Sequence, residues 1–162
     1  MTHADILETA VLQWRDETDC ARCAAALAEA RPRDAVITLE GELGAGKTTF
    51  VRHLLKSLGV QGRVKSPTYA VMEGYDVGWP VAHFDFYRFT DPQEWEDAGF
   101  RDIFAAPGLK ICEWPHKAQG LLPRPDLAIA LQTTADGQRR VEIRASTPTG
   151  LRLLNALVDR HG

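Results

Sequence analysis

Cysteine is scarce: Cys20, Cys23 and Cys112 are the only three in 162 residues. That is too few for a disulfide framework and suits a reducing compartment, where structural disulfides are rare. No run of about 18 apolar residues occurs, so no membrane-spanning helix is expected. Residues Met1 to Asp5 carry neither the basic stretch nor the apolar core of a secretory leader. These absences together predict a cytoplasmic protein with no membrane partner. There is no internal repeat, low-complexity tract or linker, and residues 1–162, with 44% hydrophobic content, are expected to form one domain around a real core. Nor is there a basic excess, because the formal net charge is −3. A protein that grips nucleic acid unaided is thereby disfavoured.

One absence is local. From Leu43 to Met72 neither Asp nor Glu occurs, while Lys47, Arg52, Lys56, Arg63 and Lys65 all do, a distribution that attracts polyphosphate. That stretch overlaps Gly41-Glu42-Leu43-Gly44-Ala45-Gly46-Lys47-Thr48, which completes the pattern G-x-x-x-x-G-K-[ST]. Glycines let the backbone curl so that successive N–H groups face one anion. The lysine supplies a cation for the outer phosphates, and the threonine hydroxyl can ligate Mg²⁺. Residues Glu42, Leu43, Gly44, Ala45, Gly46, Lys47, Thr48 and Thr49 are thus the candidate nucleotide-binding loop. Apolar Ala35 to Leu39 before it reads as a strand, and Thr48 to Leu58 after it has helical apolar spacing. A helix start adds unpaired N–H groups and the positive end of its dipole.

Along the rest of the chain, a first helix is expected from about Glu17 to Ala30, capped by Asp16, Thr18 or Asp19 and stopped by Pro32. Cys20-Ala21-Arg22-Cys23 within it has redox-motif spacing, yet no second cysteine pair completes a zinc site and no redox-fold pattern surrounds it. The pair therefore reads as small helix-packing residues. Gly59 ends the helix after the loop, and residues 62–68 form a loop because Ser66 precedes Pro67. Strands are expected over Tyr69 to Tyr75, Pro80 to Tyr87 and Gly108 to Trp114, with a short acidic helix from Asp91 to Ala98 between them. Leu127 to Gln132 and Arg140 to Ala145 make a hairpin around Asp136-Gly137, and Leu151 to Val158 is a closing helix. The sum is an α/β fold: a phosphate-loop NTPase-like mixed, largely parallel sheet with helices on both faces.

A phosphate loop needs an acid on the metal side, normally at the end of an apolar strand. Asp85 and Glu113 both occupy such positions, and either can meet the metal or its waters, or orient the attacking water. His83 reads more readily as a packed imidazole than as a proton shuttle. The only asparagine is Asn155, so the N-K-x-D motif with which guanine-specific NTPases read their base is missing, and ATP is the expected nucleotide.

Four blocks in order, G-E-L-G-A-G-K-T-T-F, V-K-S-P-T-Y at Val64 to Tyr69, H-F-D-F-Y-R at His83 to Arg88 and C-E-W-P at Cys112 to Pro115, make the chain resemble the bacterial TsaE family, also called YjeE. The resemblance implies an Mg²⁺-dependent ATPase that supports threonylcarbamoyladenosine synthesis in tRNA with the TsaD and TsaB proteins, without transferring the group itself. It implies Thr48 and Glu113 as Mg²⁺ ligands, Asp85 as a further active-site acid, and Lys65 to Thr68 as a switch element in which Thr68 touches the γ-phosphate or its metal. With Lys47, these give Lys47, Asp85, Thr68 and Glu113 as the catalytic set. Tyr87 and Arg88 fall at positions tied to activity or partner contact. Glu17, Thr18 and Arg139, or Arg140 in its place, align near the nucleotide, and Cys112 stands where an aliphatic residue is usual. The tRNA is expected to be met only through the complex, and the lone protein to be a monomer or weakly self-associating. A small-molecule kinase and a nucleotide-gated binding module with little turnover are the competing readings.

Overall fold

A computed structural model describes residues 6–64, 67 and 71–161. Its strands are β1 (Glu8–Trp14), β2 (Ala35–Glu40), β3 (Met72–Asp76), β4 (Pro80–Asp85), β5 (Leu109–Glu113), β6 (Leu127–Thr133) and β7 (Arg139–Ala145). The helices are α1 (Glu17–Glu29), α2 (Lys47–Leu58), α3 (Pro92–Asp97), α4 (Phe100–Ala105) and α5 (Pro148–His161), with a 3₁₀ turn at Pro115–Ala118. One sheet runs in the order β1-β7-β6-β2-β5-β4-β3. The four central strands β6, β2, β5 and β4 are mutually parallel, and antiparallel strands flank them on both sides.

Sequence pattern explains that division. Strands β2 and β5 are buried on both faces, as parallel strands between helical layers must be. Strand β7 instead alternates buried Val141, Ile143 and Ala145 with more exposed Arg140, Glu142 and Arg144, the pattern of an antiparallel strand with one wet face. The expected mixed α/β architecture is therefore found, with its parallel part at the centre.

Two cores result. On one face α1, α2 and α5 cover Ile37, Leu39, Leu109, Ile111, Leu127 and Ile129. On the other, Ala82, Phe84 and Cys112 meet Trp95 of α3, Phe100 of α4 and Ala118 of the 3₁₀ turn. Aromatic side chains supply most of this second core: Phe84 stacks on Phe86 at 5.4 Å and on Phe104 at 4.8 Å, and meets Phe100 edge-on at 5.1 Å. Alternation along β4 matters for function. Phe84 faces this cluster, so His83 and Asp85 must face the α1–α2 side.

Several elements differ from expectation. Strand β1 pairs along its whole length with β7; its polar residues and edge position hid it in the sequence. Helix α4 follows α3 directly, with Gly99 at φ 71° as its N-cap, so the expected helix ending at Ala98 is followed at once by a second one. Strand β3 begins at Met72, and residues 69 and 70 of the expected strand lie outside the described residues. The first turn of α5 lies earlier than Leu151 because Thr147 ties it down: its hydroxyl donates to Asp126 Oδ1 at 2.7 Å and accepts from the Gly150 N–H at 3.0 Å. Gly150 is required there, since a Cβ would stand 1.8 Å from the Asp126 carbonyl oxygen. Among the described residues no helix is long and apolar enough to cross a membrane.

Candidate active site

The phosphate loop joins β2, at the centre of the sheet, to α2. Gly44 and Gly46 have φ of 81° and 107°, backbone that β-carbon-bearing residues rarely adopt, and an added Cβ at either would meet nothing within 4 Å. Gly41, at φ 151°, answers to packing as well, because its Cβ would lie 2.8 Å from the Leu131 carbonyl oxygen. Gly46 is the N-cap of α2 and offers no side chain to its N–H groups. The first turn of α2 thus presents unpaired donors and a positive dipole end to an anion.

Lys47 is buried at the start of α2. Its Nζ donates to the carbonyls of Gly41 and, at 2.9 Å, Glu42, and sits 4.2 Å from the centroid of the Trp114 ring. Burial pushes its pKa down, against the pull of Glu113 and Asp85. The Thr48 hydroxyl donates to Glu113 Oε1 at 3.0 Å. Glu113 and Asp85 end neighbouring parallel strands in register with each other, at the carboxyl edge of the sheet where ligands of open α/β sheets bind. Burial raises the Asp85 pKa most; the Tyr87 N–H, 3.0 Å from its Oδ1, opposes that, and the Glu113 charge adds to it.

A cleft of about 570 Å³ runs from this group to the start of α1. Leu43, Gly44, Ala45, Gly46, Lys47, Thr48, Thr49, Glu17, Asp85, Glu113 and Arg139 all line it. Glu42 does not line it and acts through its backbone carbonyl, which receives Lys47 and the Ala45 N–H. Arg139 reaches the loop from behind: its guanidinium donates to the carbonyl oxygens of Ala45 at 2.8 Å and Gly44 at 3.3 Å. Those bonds occupy the carbonyl side of the loop. Arg140 instead pairs with Glu142 at 3.4 Å, so Arg139 is the residue of the two at the cleft. Glu17 turns its carboxylate to His53 of α2 at 2.8 Å. Thr68, with Lys65 and Ser66, lies outside the described residues.

Sequence reading missed six lining residues, among them Cys20 and Gly137, which it had read as a helix-packing and a hairpin residue. Trp14, Arg15 and Asp16 come from β1 and the turn after it; the unassigned strand concealed them. Trp114 stood in the C-E-W-P block, but its place was not legible. It adopts left-handed backbone, φ 57° and ψ 50°, and its ring lies 4.9 Å from that of Tyr87. A bulky residue in that region carries strain that the surroundings must hold.

The two helix cysteines are free and buried, and burial pushes both thiols up to about 12. Thiols of that kind are inert, in line with packing. The start of α1 is fixed by charge instead. Asp16 caps it, accepting from the Asp19 N–H at 3.1 Å, while Arg15 grips Asp19 through its backbone N–H at 2.9 Å and Nε at 3.0 Å. Those bonds lower the Asp19 pKa from 3.8 to about 2. A depressed carboxylate pKa stabilises the fold above its unfolded value and ceases to do so as pH falls through its folded value. Arg15→Ala should therefore lower the melting temperature by a few degrees at neutral pH, and the difference from wild type should shrink as pH falls from 3.8 to about 2. Thermal unfolding across that pH range checks this; a deficit that persists at pH 2 would place the effect elsewhere.

The donor set fits Mg²⁺ held together with phosphate oxygens. Magnesium takes one or two hard oxygen ligands from protein together with phosphate oxygens and water, and Thr48 and Glu113 bring a hydroxyl and a carboxylate together at the mouth of the anion-binding loop.

Comparison with known proteins covers the same residues. The family model described as threonylcarbamoyl adenosine biosynthesis protein TsaE matches residues 14–141, a span that contains every residue lining the cleft. A Haemophilus influenzae protein named tRNA threonylcarbamoyladenosine biosynthesis protein TsaE is 42% identical over 122 residues, which are 75% of this chain and 77% of that one. A Bacillus subtilis protein of the same name is 39% identical over 140 residues, 83% and 85% of the two chains. The crystal structure of YdiB from Bacillus subtilis is similar over 97% of this chain and 98% of that one, with a TM-score of 0.81 and 26% identity.

Proposed function

This chain belongs to the TsaE family, and from that membership and the site geometry we propose that it binds and hydrolyses ATP with Mg²⁺ in support of threonylcarbamoyladenosine formation in tRNA, acting in the cytoplasm with the TsaD and TsaB proteins. The observation that carries the ATPase reading is the Thr48 hydroxyl on Glu113 beside a glycine loop and a buried lysine. In this reading the backbone N–H groups from Gly44 to Thr49 and the Lys47 ammonium bind the phosphates, while Thr48 and Glu113 hold the metal. Bound Mg²⁺ supplies positive charge for the oxygens that become negative as the phosphoryl group departs. Asp85, with its raised pKa, orients the attacking water. Trp114 and Tyr87 cover the lysine side of the cleft and keep bulk water from it.

The tRNA is held by the partner complex, since the chain's net charge is −3 and strong independent binding rests on several phosphate contacts. Phosphoryl transfer gains about 10³- to 10⁵-fold from an arginine finger, and partner proteins are the proposed source of such a group. ATP hydrolysis by the pure protein should accordingly be slow and should rise when TsaB, TsaD and tRNA are added. Fast turnover that ignores those additions would refute partner dependence; ATP binding without any turnover in the assembled complex would favour a nucleotide-gated binding module.

A further inference from the structure

The metal-side carboxylate has a neighbour whose role the proposed ATPase chemistry leaves open. His83 lies wholly inside the protein, one turn of the pleat before Asp85 on β4 and on the same face. Its Nε2 is 2.7 Å from Glu113 Oε2, and both side chains are almost fully buried. The other oxygen of that carboxylate, Oε1, receives the Thr48 hydroxyl at 3.0 Å. Oε1 thus takes the shorter of two Thr48 contacts, while Oε2, 3.3 Å from the same hydroxyl, has His83 as its nearer partner.

The imidazole makes no other bond among the described residues: Nδ1 is buried and has no hydrogen-bond partner there. A carboxylate oxygen accepts hydrogen bonds and a ring N–H donates them, so the contact reads as Nε2–H donating to Oε2. Burying a polar atom that has no partner among the described residues costs free energy that an apolar side chain of similar size, beside Val81 and Ile111 on the same face, would not incur. A histidine kept only to fill space gains nothing from this arrangement. The orphaned nitrogen has a rationale if the bond made by its ring partner is the reason the residue is there.

We propose that His83 is a positioning residue for Glu113: its Nε2–H clamps Oε2 so that Oε1 stays turned toward Thr48 and the metal position. Without the clamp the carboxylate is free to rotate about its last bond, and the Thr48 hydroxyl, 3.0 Å from Oε1 and 3.3 Å from Oε2, does not by itself choose between the two oxygens. Partners of metal ligands of this kind typically change metal affinity by about 10- to 100-fold when removed.

The inference rests on the proposed Mg²⁺–ATP site, and its test separates the two. ATP binding is titrated calorimetrically at a series of Mg²⁺ concentrations and in EDTA, for wild type, His83→Leu and His83→Gln. The leucine variant should need about 10- to 100-fold more Mg²⁺ for half-maximal effect while its ATP affinity in EDTA stays near that of wild type. Glutamine, whose amide N–H can take the place of Nε2–H, should restore most of the Mg²⁺ dependence. Unchanged Mg²⁺ dependence in a folded His83→Leu, or equal losses in the two variants, would overturn the clamp. Should the leucine variant fail to fold, histidine ¹⁵N spectra of the wild-type protein decide: the Nε2–H tautomer is expected, and the Nδ1–H tautomer would overturn it. Magnesium-independent ATP binding by wild type would instead refute the proposed function, and the tautomer would still report whether His83 holds Glu113.

Discussion

Lys47→Ala is expected to weaken ATP binding by about 10- to 100-fold, the range for losing hydrogen bonds to a charged group, and to lower turnover by a further ~10² to 10³. The lysine is the buried cation at the first turn of α2. Its pKa is depressed by burial, so the ammonium is poorly solvated before any phosphate arrives, and contact with phosphate oxygens replaces weak partners with strong ones. Substitution also removes the lysine donor from the carbonyls of Gly41 and Glu42, of which Glu42 keeps the Ala45 N–H. A modest drop in melting temperature should therefore accompany the loss, and comparing folded variants by calorimetry and phosphate release separates the two effects. Wild-type binding and hydrolysis in Lys47→Ala would remove the phosphate loop from the mechanism.

The second large effect divides the two acids. Glu113→Gln should weaken Mg²⁺-dependent nucleotide binding by about 10-fold or more, because one of the hard oxygens offered to the metal becomes an amide and the buried contacts of Thr48 and His83 lose a charged acceptor. Asp85→Asn should leave nucleotide binding within about 3-fold and slow hydrolysis by about 10² or more, the range for losing a positioned proton acceptor. The asymmetry follows from burial. Glu113 is enclosed and touches Thr48, whereas Asp85 is only partly buried at the cleft and is bonded by the Tyr87 N–H. Nucleotide titrations and single-turnover hydrolysis measure the two quantities separately. Equal loss of binding in both variants would contradict the division and make Asp85 a second metal-side group.

How much of this was legible beforehand depends on how local each signal was. The loop from Gly41 to Thr48, its flanking strand and helix, and the strand-end acids Asp85 and Glu113 all lie in contiguous segments. Their residue types are dictated by backbone angle, apolar period or charge, so they can be read one segment at a time. The family resemblance rested on the same contiguous blocks. Strand β1 escaped because an edge strand with one wet face has little apolar pattern, and with it went Trp14 and Arg15 at the far end of the cleft.

Sequence alone determined the α/β class, the candidate phosphate loop, the candidate acids and the packing of the helix cysteines, because each follows from neighbours in the chain. Only tertiary structure decided what those groups face. It brought Thr48 to Glu113 across 65 residues, set His83 behind that carboxylate, laid Trp114 over Lys47 and turned Arg139, rather than Arg140, to the loop carbonyls. Each of those outcomes rests on strand order and on which face of the sheet a side chain takes. A parallel register between β4 and β5, and the antiparallel return of β7, fix them, and pairing between distant segments leaves no mark on any one of them.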